Sequence, residues 1–271
     1  MVAPVARLTH ASPAMNSPWI AFTRDVSPAI TRCELTHLAR SAIDVDVARA
    51  QHRAYEAVLT SLGCEVRRVA PAPEHPDAVF IEDTAVVLDE VAVITRPGAP
   101  TRRNEVIAVA DALAPLRPLA RIESPATLDG GDVLVIGRSV YVGETGRTNA
   151  EGVEQLRSAL APFGYVVRGV PVTDCVHLKL AVTAVDDTTV LLNPAWVSTA
   201  AFGGYRVLAV HEAEPMAANV LRVGDALVYG ASFPRTLERL RSAGFRPHTV
   251  DASELAKAEG AVTCCSLVLR A

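Results

Sequence analysis

Aromatic residues make up only 5% of this 271-residue chain, and its Lys and Arg never gather into a run interleaved with them. Neutralising a phosphate backbone takes such basic clusters, so nucleic acid is not expected as a partner. No stretch is long and apolar enough to span a bilayer, and the segment from Met1 to Ser17 lacks the basic start and apolar core of a secretory signal. Membrane insertion and secretion are therefore not expected. Cysteine is scarce: Cys33, Cys64, Cys175, Cys264 and Cys265 are odd in number, scattered, and without C-x-x-C spacing. That pattern argues against a disulfide framework and the usual zinc or redox motifs, and a reducing cytoplasm suits it best.

What is present is an ordinary globular composition, with 50% apolar residues, 21% charged residues and a formal net charge of -4. The apolar residues fall into a repeating pattern. Residues 83–95 form an apolar run, a short acidic break and a second apolar run, which predicts two strands joined by a tight turn. The shape returns over 132–143, over 180–193 across Asp186-Asp187, and over 219–230 across Gly224-Asp225. Amphipathic stretches over 45–62, 104–113 and 235–243 predict helices, and Thr148-Asn149-Ala150-Glu151 reads as a capping box opening another. Gly63, Gly164 and Gly244 close three of these helices.

The unit is strand, strand, helix, strand, with a period of about 40 to 50 residues, which lies in the range of propellers and solenoids. One short helix is expected in every gap between strand pairs. A radial α/β arrangement follows as one hypothesis. The commoner alternative is a doubly wound α/β sheet, but such sheets connect strands by helical crossovers and contain few hairpins. In a radial fold whose repeat ends converge on one axis, polar residues at those ends would share a central site.

Four polar features stand out in apolar company. Glu82-Asp83 closes residues 77–83, where Asp77, Glu82 and Asp83 border a strand-like stretch; a solvated strand end is the bland account. Asp129-Gly130-Gly131-Asp132 could be an ordinary turn or a place where backbone approaches a ligand closely. A phosphate cradle is disfavoured there, because aspartates repel anions and no G-K-[S/T] follows. His177 enters an apolar run, where a satisfied core or edge histidine is the usual finding. Cys264-Cys265 sits in a short apolar run near the C-terminus, and adjacent cysteines rarely bridge each other, so the pair is either packing or a reactive thiol. Together the features are complementary: a cysteine nucleophile needs an acid/base partner, and converging carboxylates need a cation, for which a guanidinium fork is well shaped. His52, His75, His211 and His248 read as surface or structural residues, and His10 as terminal.

With these residues assembled, the chain resembles the dimethylarginine dimethylaminohydrolase family of the guanidine-modifying pentein superfamily. The resemblance rests on Pro76-Asp77-Ala78-Val79-Phe80-Ile81-Glu82-Asp83, on residues 94–103, and on Ala126-Thr127-Leu128-Asp129-Gly130-Gly131-Asp132. It continues through Gly146-Arg147-Thr148-Asn149, His177-Leu178-Lys179, Ala217-Ala218-Asn219 and Gly260-Ala261-Val262-Thr263-Cys264, and covers about residues 44–267.

The resemblance implies a five-bladed α/β propeller forming one catalytic domain over residues 1–271. It implies Cys264 as nucleophile and His177 as general acid/base, with Asp83 and Asp129 holding the guanidinium or orienting His177. Asp77 and Glu82 would line the pocket, Arg102 and Arg147 would grip the substrate carboxylate, and the carbonyl near Ala258 would accept the substrate amino group. Cys265 would be a neighbour. A covalent thiouronium on Cys264 would be hydrolysed to citrulline, with no metal or organic cofactor. The partner implied is a small-molecule methylated arginine, and a homodimer is left open. Residues 23–38, including His37, lie where the family has its mobile lid; no lid contact is assigned to a particular residue.

Rival activities are an arginine deiminase or an amidinotransferase, both longer chains, and an agmatine-directed enzyme, which would not need Arg102 and Arg147. From other classes, a zinc or thiol-redox module would use Cys264, Cys265 and His177 but lacks a fourth ligand. A silent binding protein for cationic amino acids would bind without releasing product.

Overall fold

The computed structural model describes residues 19–271; the reading of Met1 to Ser17 and that of His10 lie outside the described residues. Strand β1 (Trp19–Thr23) leads through a long strap to helix α1 (Val45–Ser61) and strand β2 (Cys64–Arg68). Asp44 caps α1, its carboxylate accepting from the Asp46 and Val47 N–H groups. The next unit is the hairpin β3 (Ala85–Val87) and β4 (Ala92–Ile94), helix α2 (Val106–Leu113) and β5 (Leu119–Arg121). The third is β6 (Val133–Ile136), β7 (Ser139–Glu144), α3 (Ala150–Leu160) and β8 (Val166–Pro171).

The fourth unit opens with the single turn α4 (Leu178–Ala181), then β9 (Val182–Ala184), β10 (Thr189–Leu192) and β11 (Arg206–Ala209). The last begins with β12 (Val220–Val223), β13 (Ala226–Gly230), α5 (Pro234–Ser242) and β14 (His248–Val250). After the turn α6 (Ser253–Ala256), β15 (Leu267–Arg270) ends the chain.

Among the described residues these strands form five sheets of three. In each, an antiparallel pair is followed by a parallel third strand: β3 with β4, then β4 with β5, and likewise through β13 with β14. The first sheet uses both ends of the chain, since β15 pairs antiparallel with β1 and β1 pairs parallel with β2. That unit is split between the termini, which is why no hairpin pattern marks it in the sequence.

Side-chain alternation gives each sheet two buried faces. Ile20 and Phe22 of β1 pack with Leu267, Ala85 and Ile94, whereas Ala21 between them packs with Val223, Val228 and Val250. Five core clusters each join two successive sheets in chain order, and the cluster around Ala21 joins the last sheet to the first. Burial on both faces explains why the strands read as continuous apolar runs. A cavity of about 240 Å3 is lined by residues of β3, β6, β9, β12 and β15, so the first strand of all five sheets borders one axis.

Two expectations need correction. The cap of α3 is Asn149, whose side chain accepts from Gly152 N–H, while the Thr148 hydroxyl donates to Asp132. The gap between β10 and β11 holds only a 3-10 turn, Thr199–Phe202, too short to count as the helix expected there.

Candidate active site

The residues entering the first strands meet at one end of this axis. Glu82 and Asp83 lie in the turn Ile81–Thr84 before β3, and Asp129 and Asp132 frame the turn Gly130–Asp132 before β6. His177 caps α4 before β9, and Cys264 lies in the loop before β15. Convergence comes from topology: residues far apart in sequence occupy the same place in successive repeats.

A small cavity of about 30 Å3 is lined by Asp77, Asp83, Arg102, Arg147, His177, Ala258 and Cys264, together with Glu34, Phe80, Val176, Glu259 and Gly260. Of the expected site residues, seven line it. Asp129 stands behind it, its Oδ2 3.0 Å from His177 Nε2, while its Oδ1 accepts from the Gly98 N–H at 2.8 Å. Asp83 Oδ1 lies 3.7 Å from the other ring nitrogen, Nδ1, and accepts from Gly131 N–H. A Cβ added at Gly131 would fall 2.6 Å from both Asp83 Oδ1 and His177 Nδ1, so glycine lets the two approach.

Burial disfavours a charged His177, but Asp83, the hydrogen-bonded Asp129 and Asp132 outweigh it and raise its pKa to about 9. Burial pushes the Cys264 thiol well up, and Glu82 and Asp83 push it further. Asp77 is raised to about 6, chiefly by burial. Asp83, also opposed by burial, is nevertheless held down at about 2 by His177 and Arg102.

Glu82 departs from expectation. It is absent from the lining of this cavity; its Oε1 takes the Lys179 ammonium at 2.6 Å and its Oε2 takes the Thr263 hydroxyl at 2.7 Å. An unpaired carboxylate at that depth would be costly, and the lysine and hydroxyl on the axial side satisfy it. Its backbone N–H still donates to Cys264 O at 3.1 Å, so it braces the loop that carries the cysteine.

Arg102 lines the cavity but is already committed. Its Nη1 lies 2.5 Å from Asp83 Oδ2, its Nε and Nη2 bond Glu105, and Nη2 also donates to the Phe80 and Asp77 carbonyls. A substrate carboxylate reaching it must compete with two buried carboxylates. Arg147, partly exposed, makes a single side-chain bond among the described residues, from Nη2 to the Thr36 hydroxyl at 3.1 Å.

Asp83, Asp129 and His177 offer ligand atoms within 4.8 Å of one another. The two carboxylates face different nitrogens of one ring, and Arg102 already neutralises Asp83, so the arrangement suits an imidazolium better than a metal ion.

Sequence reasoning assigned no role to Asp132, Lys179, Glu34 or Glu259. Asp132 accepts from the Leu178 N–H and the Thr145 and Thr148 hydroxyls, which fixes the backbone next to His177. Its signal was the second aspartate of the Asp-Gly-Gly-Asp stretch.

A Streptomyces coelicolor N(G),N(G)-dimethylarginine dimethylaminohydrolase is 45% identical over 251 residues, covering 92% of this chain and 96% of that protein. The chain belongs to the dimethylarginine dimethylaminohydrolase family. A Pseudomonas aeruginosa member is 33% identical over 234 residues, covering 86% of this chain and 91% of its own. A mutant of the Pseudomonas aeruginosa protein, solved with citrulline, superposes with a TM-score of 0.89 at 30% identity, covering 94% of this chain and 100% of that one. No family model matches the chain. No helix among the described residues is long and apolar enough to cross a membrane.

Proposed function

We propose that this chain hydrolyses N-omega-methylated arginine to citrulline and the corresponding methylamine, with Cys264 as nucleophile and His177 as general acid/base. The observation that carries this reading is one cavity lined by a cysteine, a histidine raised to about 9 and the ionised Asp83.

Asp83 and Asp77 would hold the guanidinium, and Arg147 the α-carboxylate, with the Ala258 carbonyl taking the α-amino group. Arg102 serves as the fixed counter-charge to Asp83 and supports the carboxylate at longer range. Near neutral pH the free protein holds a thiol at Cys264 and an imidazolium at His177. The incoming guanidinium adds positive charge beside the sulfur and favours loss of its proton to solvent. The thiolate then attacks the guanidinium carbon, forming the C–S bond. His177 gives its proton to the departing methylated nitrogen as that C–N bond breaks. Neutral His177 next takes one proton from water as the oxygen adds to the thiouronium carbon; the C–S bond then breaks, sulfur leaves as thiolate, and the remaining hydroxyl proton passes to it or to solvent, giving citrulline and free Cys264.

We read the five sheets as the blades of one five-bladed α/β propeller forming a single catalytic domain. The ring of five inter-sheet cores and the axial cavity support that reading. The test is a product assay on asymmetric dimethylarginine, monomethylarginine, arginine and agmatine. Citrulline from the methylated substrates is expected; faster turnover of free arginine would make the chain a deiminase.

A further inference from the structure

The strap between β1 and α1 passes over the cavity with little of its own to hold it there. Residues 34–43 make no backbone-to-backbone hydrogen bond among the described residues, and most of them are exposed. Side chains hold it instead: Arg40 donates to the Thr31 and Cys33 carbonyls, Lys257 to the Ala42 carbonyl and Thr101 to the Glu34 carboxylate, while two carboxylates grip its backbone at the cavity. Glu34 N–H donates to Asp77 Oδ2 at 3.2 Å. Three consecutive N–H groups, from Thr36, His37 and Leu38, converge on the carboxylate of Glu259 at 2.6 to 3.1 Å.

Glu259 is a costly choice for its place. It is 7% exposed, no Lys, Arg or His pairs with it among the described residues, and its φ of +59° is one that residues with a side chain rarely adopt. The three N–H groups are what compensate its charge, and bonds to an ionised acceptor are the stronger kind. Its neighbours are Ala258 and Gly260, both lining the cavity, and Gly260 is pressed so closely to the Phe80 ring that a Cβ there would collide. One turn thus presents a cavity-lining backbone and the grip on the strap. The strap in turn brings Thr36 Oγ1 to Arg147 and Glu34 to the cavity.

We propose that Glu259 is a positioning residue that latches residues 34–38 over the site and so sets how tightly substrate is held. The affinity part rests on the reading of this cavity as the substrate site; the latch itself does not. With the strap latched, Thr36 orients the Arg147 fork and the cavity is closed from water. With the latch broken, residues 36–38 keep only the Arg147 bond to Thr36 among the described residues, and substrate must order them on binding.

Two variants of the full-length protein test this. In Glu259→Ala, the amides of 36–38 should exchange hydrogen at least about tenfold faster without substrate. KM for asymmetric dimethylarginine should rise about tenfold while kcat changes by less than about threefold. Glu259→Gln keeps an oxygen where Oε1 now takes three of the four contacts, so it should recover much of both. If the alanine variant folds poorly, Glu259→Gln decides alone: its neutral acceptor holds the three N–H groups less strongly, so they should exchange measurably faster than in the unmodified protein, and unchanged protection would overturn the latch. Unchanged protection of these amides in both variants would overturn the latch. A collapse of kcat at constant KM would instead put Glu259 in the chemical step and also sink the proposal. If the unmodified protein releases no citrulline, the exchange result still decides the latch, and only the substrate reading fails.

Discussion

His177 Nε2 stands 3.0 Å from Asp129 Oδ2, a carboxylate with no solvent exposure that is itself fixed by the Gly98 N–H. The pairing directs the other nitrogen, Nδ1, toward Asp83 and Gly131. Asp83 first and this pairing second keep the ring charged through the neutral range, which suits an acid that must protonate a leaving amine.

The pH dependence follows with a definite sign. His177 is raised from 6.5 to about 9 on folding, so its charged form stabilises the fold fully below about pH 6.5, and this contribution is lost as pH rises through about 9. Both melting temperature and kcat/KM should decline on the alkaline side toward that pH. Asp129→Asn should move the alkaline limb to lower pH, as read from a kcat/KM profile. An unmoved limb would mean that Asp129 does not govern the titration.

Cys264→Ser should abolish citrulline release, whereas Cys265→Ser should retain most of it. Cys265 is buried in the core cluster that joins the last sheet to the first, and its thiol donates weakly to the Ala261 carbonyl at 3.5 Å. Only Cys264 of the pair borders the cavity. Citrulline quantified under single-turnover conditions separates the two, and an active Cys264→Ser enzyme would remove the nucleophile assignment.

The repeat was legible because each hairpin carries two apolar runs and a polar break, as over β6 and β7. The first sheet was not, because β15 and β1 lie at opposite ends of the chain and no local pattern connects them. Residue types at the site were legible as motifs, but their partners were not. Whether Glu82 faces the cavity or Lys179 depends on a side-chain direction in a 3-10 turn, and whether Arg102 is free depends on Glu105 three residues on. Glu259 was invisible as a latch, since three donors from a strap without regular structure leave no periodicity.

Arg102 and Arg147 should separate cleanly on mutation. Removing the buried Arg102 leaves Asp83 and Glu105 without their cation, so Arg102→Met should cost roughly 3–5 kcal/mol of stability, the scale for breaking a buried pair. Arg147→Ala should change stability by about 1 kcal/mol or less, because its one side-chain bond is to an exposed threonine. It should instead raise KM with little effect on kcat, as loss of a contact present in both ground and transition states does. Denaturant unfolding alongside steady-state kinetics measures both; equal stability losses would show that Arg102 is not the structural cation.

Gly131→Ala tests how finely the acid and the guanidinium holder are placed. The new methyl would lie 2.6 Å from Asp83 Oδ1 and from His177 Nδ1, and 2.8 Å from His177 Cγ, closer than any real contact allows. Neither group can retreat freely, because Asp83 is tied to Arg102 and His177 to Asp129. The clash should cost about 1–3 kcal/mol of stability, the usual scale for overpacking. The kinetic cost should be greater, at least about a hundredfold in kcat, because a displacement of about 1 Å at a proton donor is enough for that. A variant with near-normal kcat would mean that His177 works from a position other than the one it holds between Asp83 and Asp129.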